Sequence, residues 1–327
     1  MAGYASSHRL TPRIRVFVLW LLLGLVLLVT GAELLVRGGG QVALALRVPA
    51  LVVGLTIVAF GTSMPELLVS VTAAMHASTE MALANVNGSN LANVTLVLGL
   101  AALVNPLTVE RTLIWREIPV VLGLSLMVPL LGSDRIINQG DGIILLLAGI
   151  IYNVWLLLDA LRGRASSNAE EDIDGDPGLG KNLLLLAFGV LALVLGAQWF
   201  VFGAVKVAEV LHLSDRFIGL TVVAMGTSAP EVATGMWSAY RGETELAVGN
   251  SLGSNLLNIA MVLGITALVE PIRIEDTSAW GDMALCVVVT AALVPFVLKG
   301  SITRLEGGIL TAVYGLYLAS GYFDGHA

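Results

Sequence analysis

The sequence predicts an all-α membrane protein of ten transmembrane helices, arranged as two inverted five-helix repeats. Three observations predict it. The 327 residues are 57% hydrophobic and 13% charged, with a mean hydropathy of +0.88, where a soluble domain carries about 25% charge. Charge is missing from whole helix-length stretches, among them Leu19–Leu28, Ile143–Ile151 and Leu183–Leu195. The apolar runs around these exceed the roughly 18 residues that mark a spanning helix. Finally, the chain repeats itself.

The repeat appears when the chain is slid against itself by 165 positions. Gly54-Leu-Thr-Ile-Val-Ala-Phe-Gly-Thr-Ser-Met-Pro-Glu66 then falls on Gly219-Leu-Thr-Val-Val-Ala-Met-Gly-Thr-Ser-Ala-Pro-Glu231. In the same register Asn85-Val-Asn-Gly-Ser-Asn-Leu-Ala-Asn93 falls on Asn250-Ser-Leu-Gly-Ser-Asn-Leu-Leu-Asn258, and Pro106 on Pro271. Shared hydrophobic bias would match Leu and Val. It would not match Pro, Glu, Asn and paired Thr-Ser without a gap.

Taken in order, the first repeat (1–161) reads as spans at about 14–36, 42–75, 80–104, 114–132 and 142–161. The first run has no small-x-small cleavage pattern and reads as a retained span rather than a signal peptide. A polar segment, 162–181, follows as a linker expected to be mobile. The second repeat (182–327) reads as spans at about 182–208, 215–240, 245–269, 279–298 and 303–323. Five is odd, so the second copy enters the membrane upside down, the design of secondary transporters with a midplane site. Lys and Arg concentrate on the side holding Arg37, Arg116, Arg162, Arg164, Lys181 and Arg241. That side is expected to be cytoplasmic, with the linker inside and both termini outside.

The formal charge of -7 gathers partly in Glu170–Asp176. Without a basic patch interleaved with aromatics, nucleic acid is not the partner. The single Cys286 lies in an apolar run and reads as a small core residue.

Chemistry gathers at residues that do not belong in a bilayer. The long second span carries its own break, Gly61-Thr-Ser-Met-Pro65, where proline removes a backbone donor and frees carbonyls around Val58–Gly61. Such backbone is tolerated at membrane depth only inside protein or beside a polar cavity. Thr62 and Ser63, and Thr227 and Ser228 in the second copy, add hydroxyls. Glu66 and Glu231 follow the breaks, and a mid-membrane acid is a functional site by default. The competing reading is a capping box, Ser63-Met-Pro-Glu66, in which the glutamate only ties off a half-helix. Ser89 and Asn93, like Ser254 and Asn258, are four apart on one helix face; hydrogen bonding between packed spans would also explain them. Carboxylates, amides, hydroxyls and carbonyls together suit Ca2+, which takes six to eight oxygens. No His or Cys joins either cluster, which argues against Zn2+ or Cu+.

The duplicated G-T-S-x-P-E and G-S-N-x-x-N motifs resemble the alpha repeats of the sodium/calcium exchanger family, in the prokaryotic-type form without a regulatory domain. The resemblance implies an antiporter, not an enzyme, that exchanges Ca2+ for Na+ across a prokaryotic plasma (inner) membrane, using no cofactor and no obligate protein partner. Glu66 and Glu231 would be paired Ca2+ ligands. Thr62, Ser63, Thr227 and Ser228 would supply hydroxyls, and Ala59 and Ala224 backbone carbonyls. Ser89, Asn93, Ser254 and Asn258 would complete the site, with the first and sixth helices sliding against it.

Three positions depart from the family pattern: Asn258 stands where many members carry Asp, Ala84 replaces a glycine, and Asn87 adds an amide. The rival functions are a Ca2+/H+ or other divalent exchanger using the same glutamates, a passive cation channel, and an intramembrane hydrolase built on Ser63 or Ser228. The last lacks a nearby base. Glu80 and Glu245 read as helix N-terminal acids, Glu33 and Arg37 as an interfacial pair or gate, and His76 and His212 as loop residues.

Overall fold

The computed structural model describes residues 12–76, 79–109, 112–166, 178–210, 224–275 and 278–324. These are helical almost throughout. The first repeat supplies α1 (Pro12–Leu46), α2 (Ala50–Thr62), α3 (Met64–Met75), α4 (Thr79–Val104), α5 (Glu117–Leu131) and α6 (Gln139–Ser166). The second supplies α7 (Leu179–Val210), α8 (Ala224–Thr227), α9 (Ala229–Tyr240), α10 (Thr244–Val269), α11 (Ser278–Ala291) and α12 (Arg304–Asp324).

Among the described residues, seven helices are long and apolar enough to cross a membrane. The count is eight if α2 and α3, bent by 44°, form one broken span. The other two expected spans correspond to 215–240, described only from Ala224, and to α12.

Boundaries differ from expectation where tertiary contacts intervene. The first span does not stop near residue 36; it runs to Leu46, so the second begins at Ala50 rather than 42. The Gly38–Gly40 run looks like a helix end but is a packing surface. A Cβ on Gly38 would sit 3.0 Å from the Leu186 nitrogen and 3.1 Å from the Asn182 carbonyl of α7. The helix ends where Arg47 takes a positive φ of 52° ahead of Pro49. The 162–181 linker shrinks at both ends, because α6 continues to Ser166 and α7 begins at Leu179 after Gly178, at φ +62°. Its middle, 167–177, and the mobility expected of it lie outside the described residues. The expected span 279–298 breaks after Ala291, since Pro295 brings no donor to continue the ladder.

The interior is built around α4 and α10, in whose spanning windows 78% of residues are buried, against 17% in α1. Outside them α1 and α7 lie against each other along their whole length. Glycines at seven-residue spacing, Gly24 and Gly31 on α1 with Gly189 and Gly196 on α7, bring the backbones together. A Cβ on Gly31 would lie 2.9 Å from the Gly189 carbonyl, the close packing that small residues permit in membranes. The outward faces are apolar and half exposed, as at Leu22, Val26, Ile150, Ile151, Leu184 and Phe188.

Two short antiparallel pairings join the halves. β1 (Leu107–Thr108) pairs with β4 (Ser301–Ile302), and β2 (Ile136–Ile137) with β3 (Ile272–Arg273). Under the 165-residue shift β1 maps onto β3 and β2 onto β4, so each pairing is the other's repeat image. The same holds for two side-chain ties: Gln139 Nε2 donates to the Leu268 carbonyl at 3.1 Å, and Arg304 Nε to the Leu103 carbonyl at 3.2 Å.

One polar cluster supports α5. Arg116 donates to Asp159 at 2.9 Å, lies over the Trp155 ring at 4.8 Å, and faces the buried Glu117 at 3.7 Å. Arg116→Ala takes this counter-charge from Glu117, and should destabilise the protein by about 2–4 kcal/mol. Thermal unfolding in detergent would show it, with Arg116→Ala/Glu117→Gln recovering most of the loss. Equal midpoints for wild type and the single variant would refute the assignment.

Candidate ion-binding site

The break in the second span is confined to one residue. Ser63 leaves helical geometry at φ −81° and ψ 4°, yet its N–H still donates to the Ala59 carbonyl at 3.0 Å, and its own carbonyl accepts from Leu67 N–H at 3.1 Å. Ser228 repeats this at φ −84° and ψ 6°, with Val232 N–H on its carbonyl at 3.0 Å. Pro65 and Pro230 occupy first-turn positions of α3 and α9, where a missing donor costs nothing. The Ala59 carbonyl is therefore engaged rather than freed, and Thr62 Oγ1 lies 3.3 Å from it as well. The backbone loosens instead at π turns over Gly54–Val58, Asn93–Val97 and Asn258–Leu263, a feature frequent at functional sites.

The capping box does not form. Ser63 makes no side-chain cap, and its hydroxyl has no partner among the described residues. Glu66 turns away from it and accepts from Ser89 Oγ through Oε1 at 3.4 Å. Glu66 and Glu231 are 0% and 1% exposed, and their charges are close enough to interact.

Four segments meet around them, and the links cross between halves. From the first break, Thr62 Oγ1 donates to Asn250 Oδ1 at 3.1 Å and lies 3.3 Å from Ser254 Oγ, both on α10. From the second break, Ser228 Oγ donates to Ser89 Oγ on α4 at 3.4 Å. Between the central helices, Asn258 Nδ2 donates to Asn90 Oδ1 at 3.1 Å, Asn255 Nδ2 to the Asn90 carbonyl at 3.2 Å, and Ser251 Oγ to the Asn93 carbonyl at 2.7 Å. The amide donor of Asn258 is thus occupied, and its Oδ1 has no partner among the described residues.

Of the twelve residues singled out by sequence, Thr62, Ser63, Glu66, Ser89, Asn93, Ser228, Glu231, Ser254, Asn258 and Ala59 are buried on these segments. Thr227 closes α8, half buried, and Ala224 opens it. The sequence reading missed Asn90, Ser251 and Asn255, which hold the central helices together, and did not name Asn250 among the site residues. It also missed Thr234 and Ser238, fully buried on α9, whose hydroxyls have no partner among the described residues. Their spacing of three and seven from Glu231 is the signal that would have found them.

The lesser residues resolve differently. Asn87 does not widen the cluster; with Glu80 and Asp282 it lines a separate cavity of about 210 Å³, and its carbonyl accepts from Cys286 Sγ at 3.3 Å. Glu80 Oε1 accepts from Glu275 N–H at 2.9 Å. Glu33 pairs with Arg37 and accepts from Trp237 Nε1. His76 is exposed and bonds the Thr72 carbonyl at 2.8 Å, whereas His212 lies outside the described residues.

Among the described residues no well-formed hydrogen bond satisfies Glu66 Oε2, either carboxylate oxygen of Glu231, or Asn93 Oδ1, although the Thr62 hydroxyl lies near the Glu231 carboxylate. Buried acceptors without partners cost several kcal/mol unless something satisfies them. Two carboxylates with amide and hydroxyl oxygens form a hard-oxygen set suited to Ca2+ or Na+, and unsuited to soft metals.

Comparison with known proteins is consistent with this chemistry. A family profile described as sodium/calcium exchanger protein matches residues 16–158 and again 181–323. The two matches are offset by 181 − 16 = 165 residues, the register of the internal repeat. The chain is 32% identical over 311 residues to inner membrane protein YrbG of Escherichia coli (strain K12), covering 93% of this chain and 96% of that protein. It is 31% identical over 343 residues to sodium/calcium exchanger MaX1 of Methanosarcina acetivorans, covering 93% and 98%. Its structure resembles the sodium-calcium exchanger NCX_Mj soaked with 10 mM Na+ and no Ca2+, with a TM-score of 0.83, 33% identity, and coverage of 94% and 99%.

Proposed function

This chain belongs to the sodium/calcium exchanger family, and on that premise we propose that it is a secondary-active antiporter exchanging Ca2+ for Na+ across a prokaryotic inner membrane. One observation carries the proposal: Glu66 and Glu231 are buried together inside a cage of amide and hydroxyl oxygen, and no described residue sets a cationic side chain against them.

The exchange follows from the charge. One Ca2+ neutralises two carboxylates, and so do two Na+ ions. Left unoccupied, the cage would carry two desolvated negative charges, each worth several kcal/mol. Reorientation of an empty site is therefore disfavoured, and ions of one kind leave only as the other kind loads. Glu66 and Glu231 hold Ca2+, with Asn93 and Asn258 presenting amide oxygens, and Thr62, Ser63, Ser89, Thr227, Ser228 and Ser254 hydroxyls. Ala59 and Ala224 contribute carbonyl oxygen, which can accept more than one bond. Asn90 aims the Asn258 oxygen by occupying its donor. In this reading the chain spans the membrane ten times as two inverted five-helix halves, with the linker in the cytoplasm and both termini outside. The family is one of transporters, not enzymes.

The test is tracer Ca2+ uptake into Na+-loaded proteoliposomes diluted into Na+-free buffer at equal pH on both sides. Uptake should collapse when external Na+ equals internal Na+. Uptake driven only by a pH gradient would move the chain to the proton-coupled exchangers.

Asn258→Asp should add a third buried carboxylate, leaving one negative charge uncompensated with Ca2+ bound. Na+-driven uptake should fall about tenfold or more, a difference of roughly 1.4 kcal/mol per decade. What remains should depend on pH, since a proton or further Na+ restores neutrality. An unchanged, pH-insensitive rate would remove Asn258 from the site.

A further inference from the structure

A further cavity lies away from the ion cage. It measures about 620 Å³ and sits where the C-terminal turns of α1, the start of α7, and the turn after α9 converge. Three cations from these three elements line it: Arg37, Lys181 and Arg241. Gln41 and Asn182 add amides, and Glu243 is the one acid on its wall among the described residues. Behind it Glu33 pairs with Arg37 and lies 4.0 Å from Arg241. Among the described residues, three positive charges against two negative leave a surplus of one. The remaining wall is apolar, with Val36, Leu44 and Leu185.

We propose that this cavity binds the phosphodiester headgroup of an anionic lipid, with the acyl chains running down the apolar wall. A phosphodiester carries one negative charge, matching the surplus. Arg37 and Arg241 supply donors shaped for phosphate oxygens, and Lys181 a point charge.

The surroundings favour a lipid over a dissolved phosphate. Leu44 is 63% exposed on the rim, a surface suited to hydrocarbon and wasted on a soluble anion. Tyr240, adjoining Arg241, is 69% exposed and packs on Trp237 with ring centroids 5.4 Å apart. Exposed aromatics of this kind mark the headgroup level, and basic pockets between membrane helices at that level hold anionic headgroups.

The site belongs to one end of the molecule. Under the 165-residue shift Arg37 corresponds to Phe202, Arg241 to His76 and Lys181 to Val16. The duplicated plan therefore does not dictate these cations. A lipid seated here would tie the α1–α7 pair to the α9–α10 turn. This assignment rests on the chain being a membrane protein, and not on which ions it exchanges.

The experiment is native mass spectrometry and thermal unfolding of the full-length protein in neutral detergent. Phosphatidylglycerol, phosphatidylcholine or inorganic phosphate is added to wild type and to Lys181→Gln/Arg241→Gln. Phosphatidylglycerol should occupy wild type roughly tenfold or more above phosphatidylcholine, and the preference should disappear in the double variant. Lys181→Arg/Arg241→Lys, which conserves charge, should retain it and serves as the control for folding. A preference that survives in the Gln variant, equal occupancy by the two lipids, or full stabilisation by inorganic phosphate alone would each overturn the proposal.

Discussion

Glu66→Gln and Glu231→Gln should each reduce Na+-driven Ca2+ uptake by about 100-fold or more. Glutamine keeps the size of the side chain, and at position 66 it keeps an oxygen for the Ser89 hydroxyl, now 3.4 Å away. It removes the charge, so a bound Ca2+ faces one carboxylate where it had two. Breaking a buried ion pair costs about 3–5 kcal/mol, and each 1.4 kcal/mol is tenfold in affinity. The effect on folding should run the other way. Neither carboxylate has a cationic side-chain partner among the described residues, so neutralising one relieves repulsion in the ion-free protein. The expected signature is an unfolding midpoint equal to or above wild type without Ca2+, together with loss of the upward shift that Ca2+ gives wild type. Robust uptake in either variant would remove that glutamate from the transport site.

Gly253→Ala should cost about 10–100-fold in uptake, although it adds one methyl group and touches no charge. A Cβ there would lie 2.6 Å from Leu55 Cα and 2.7 Å from its carbonyl carbon, backbone atoms of α2. Gly249 crosses as closely, with its Cβ position 2.6 Å from the Leu51 carbonyl. No side chain can swing away, so α2 and α10 must separate. Overpacking of this kind costs about 1–3 kcal/mol in stability. The same crossing sets the reach of Thr62 to Asn250 and Ser254, and a shift of about 1 Å in a positioned group can cost about 100-fold in rate. Gly123→Ala, at an exposed position with nothing within 4 Å of the new methyl among the described residues, is the control and should behave as wild type. Equal uptake by the two variants would mean that the α2–α10 spacing does not govern the cage.

The cage was legible because its residues are foreign to their surroundings. Pro, Glu and Asn in a bilayer-spanning run cannot be background composition, and the repeat register printed each of them twice. That register alone groups Glu66, Ser89, Ser228 and Glu231 as one expected cluster. The details that escaped are long-range. Gly38–Gly40 reads locally as the end of a helix, and only the approach of distant segments, α7 at Gly38 and Val58 with Leu246 at Gly39, makes it a packing face. Trp237 meets Glu33 across 204 positions, which no local spacing encodes. Asn90 and Asn255 stood in full view within the motif, but a motif does not say which amide faces an ion and which faces its twin helix. A local detail escaped as well: at Ser63 the break leaves the Ala59 carbonyl bonded to the Ser63 N–H.

The two strand pairings carry a lesson about ancestry. β1 grips β4 and β2 grips β3, and each is the other's image under the repeat. A single unduplicated gene, encoding one half, would make both grips by dimerising with its own product, since they are one contact made twice. Fusion then changes the stoichiometry of the assembly without inventing an interface. Bisecting the reading frame between α6 and α7 and co-expressing the halves should return a functional exchanger, and each strand tie would become an intermolecular handshake. In one polypeptide the two copies need not be identical: Arg stands at position 37 and Phe at its image 202, while both strand pairings persist.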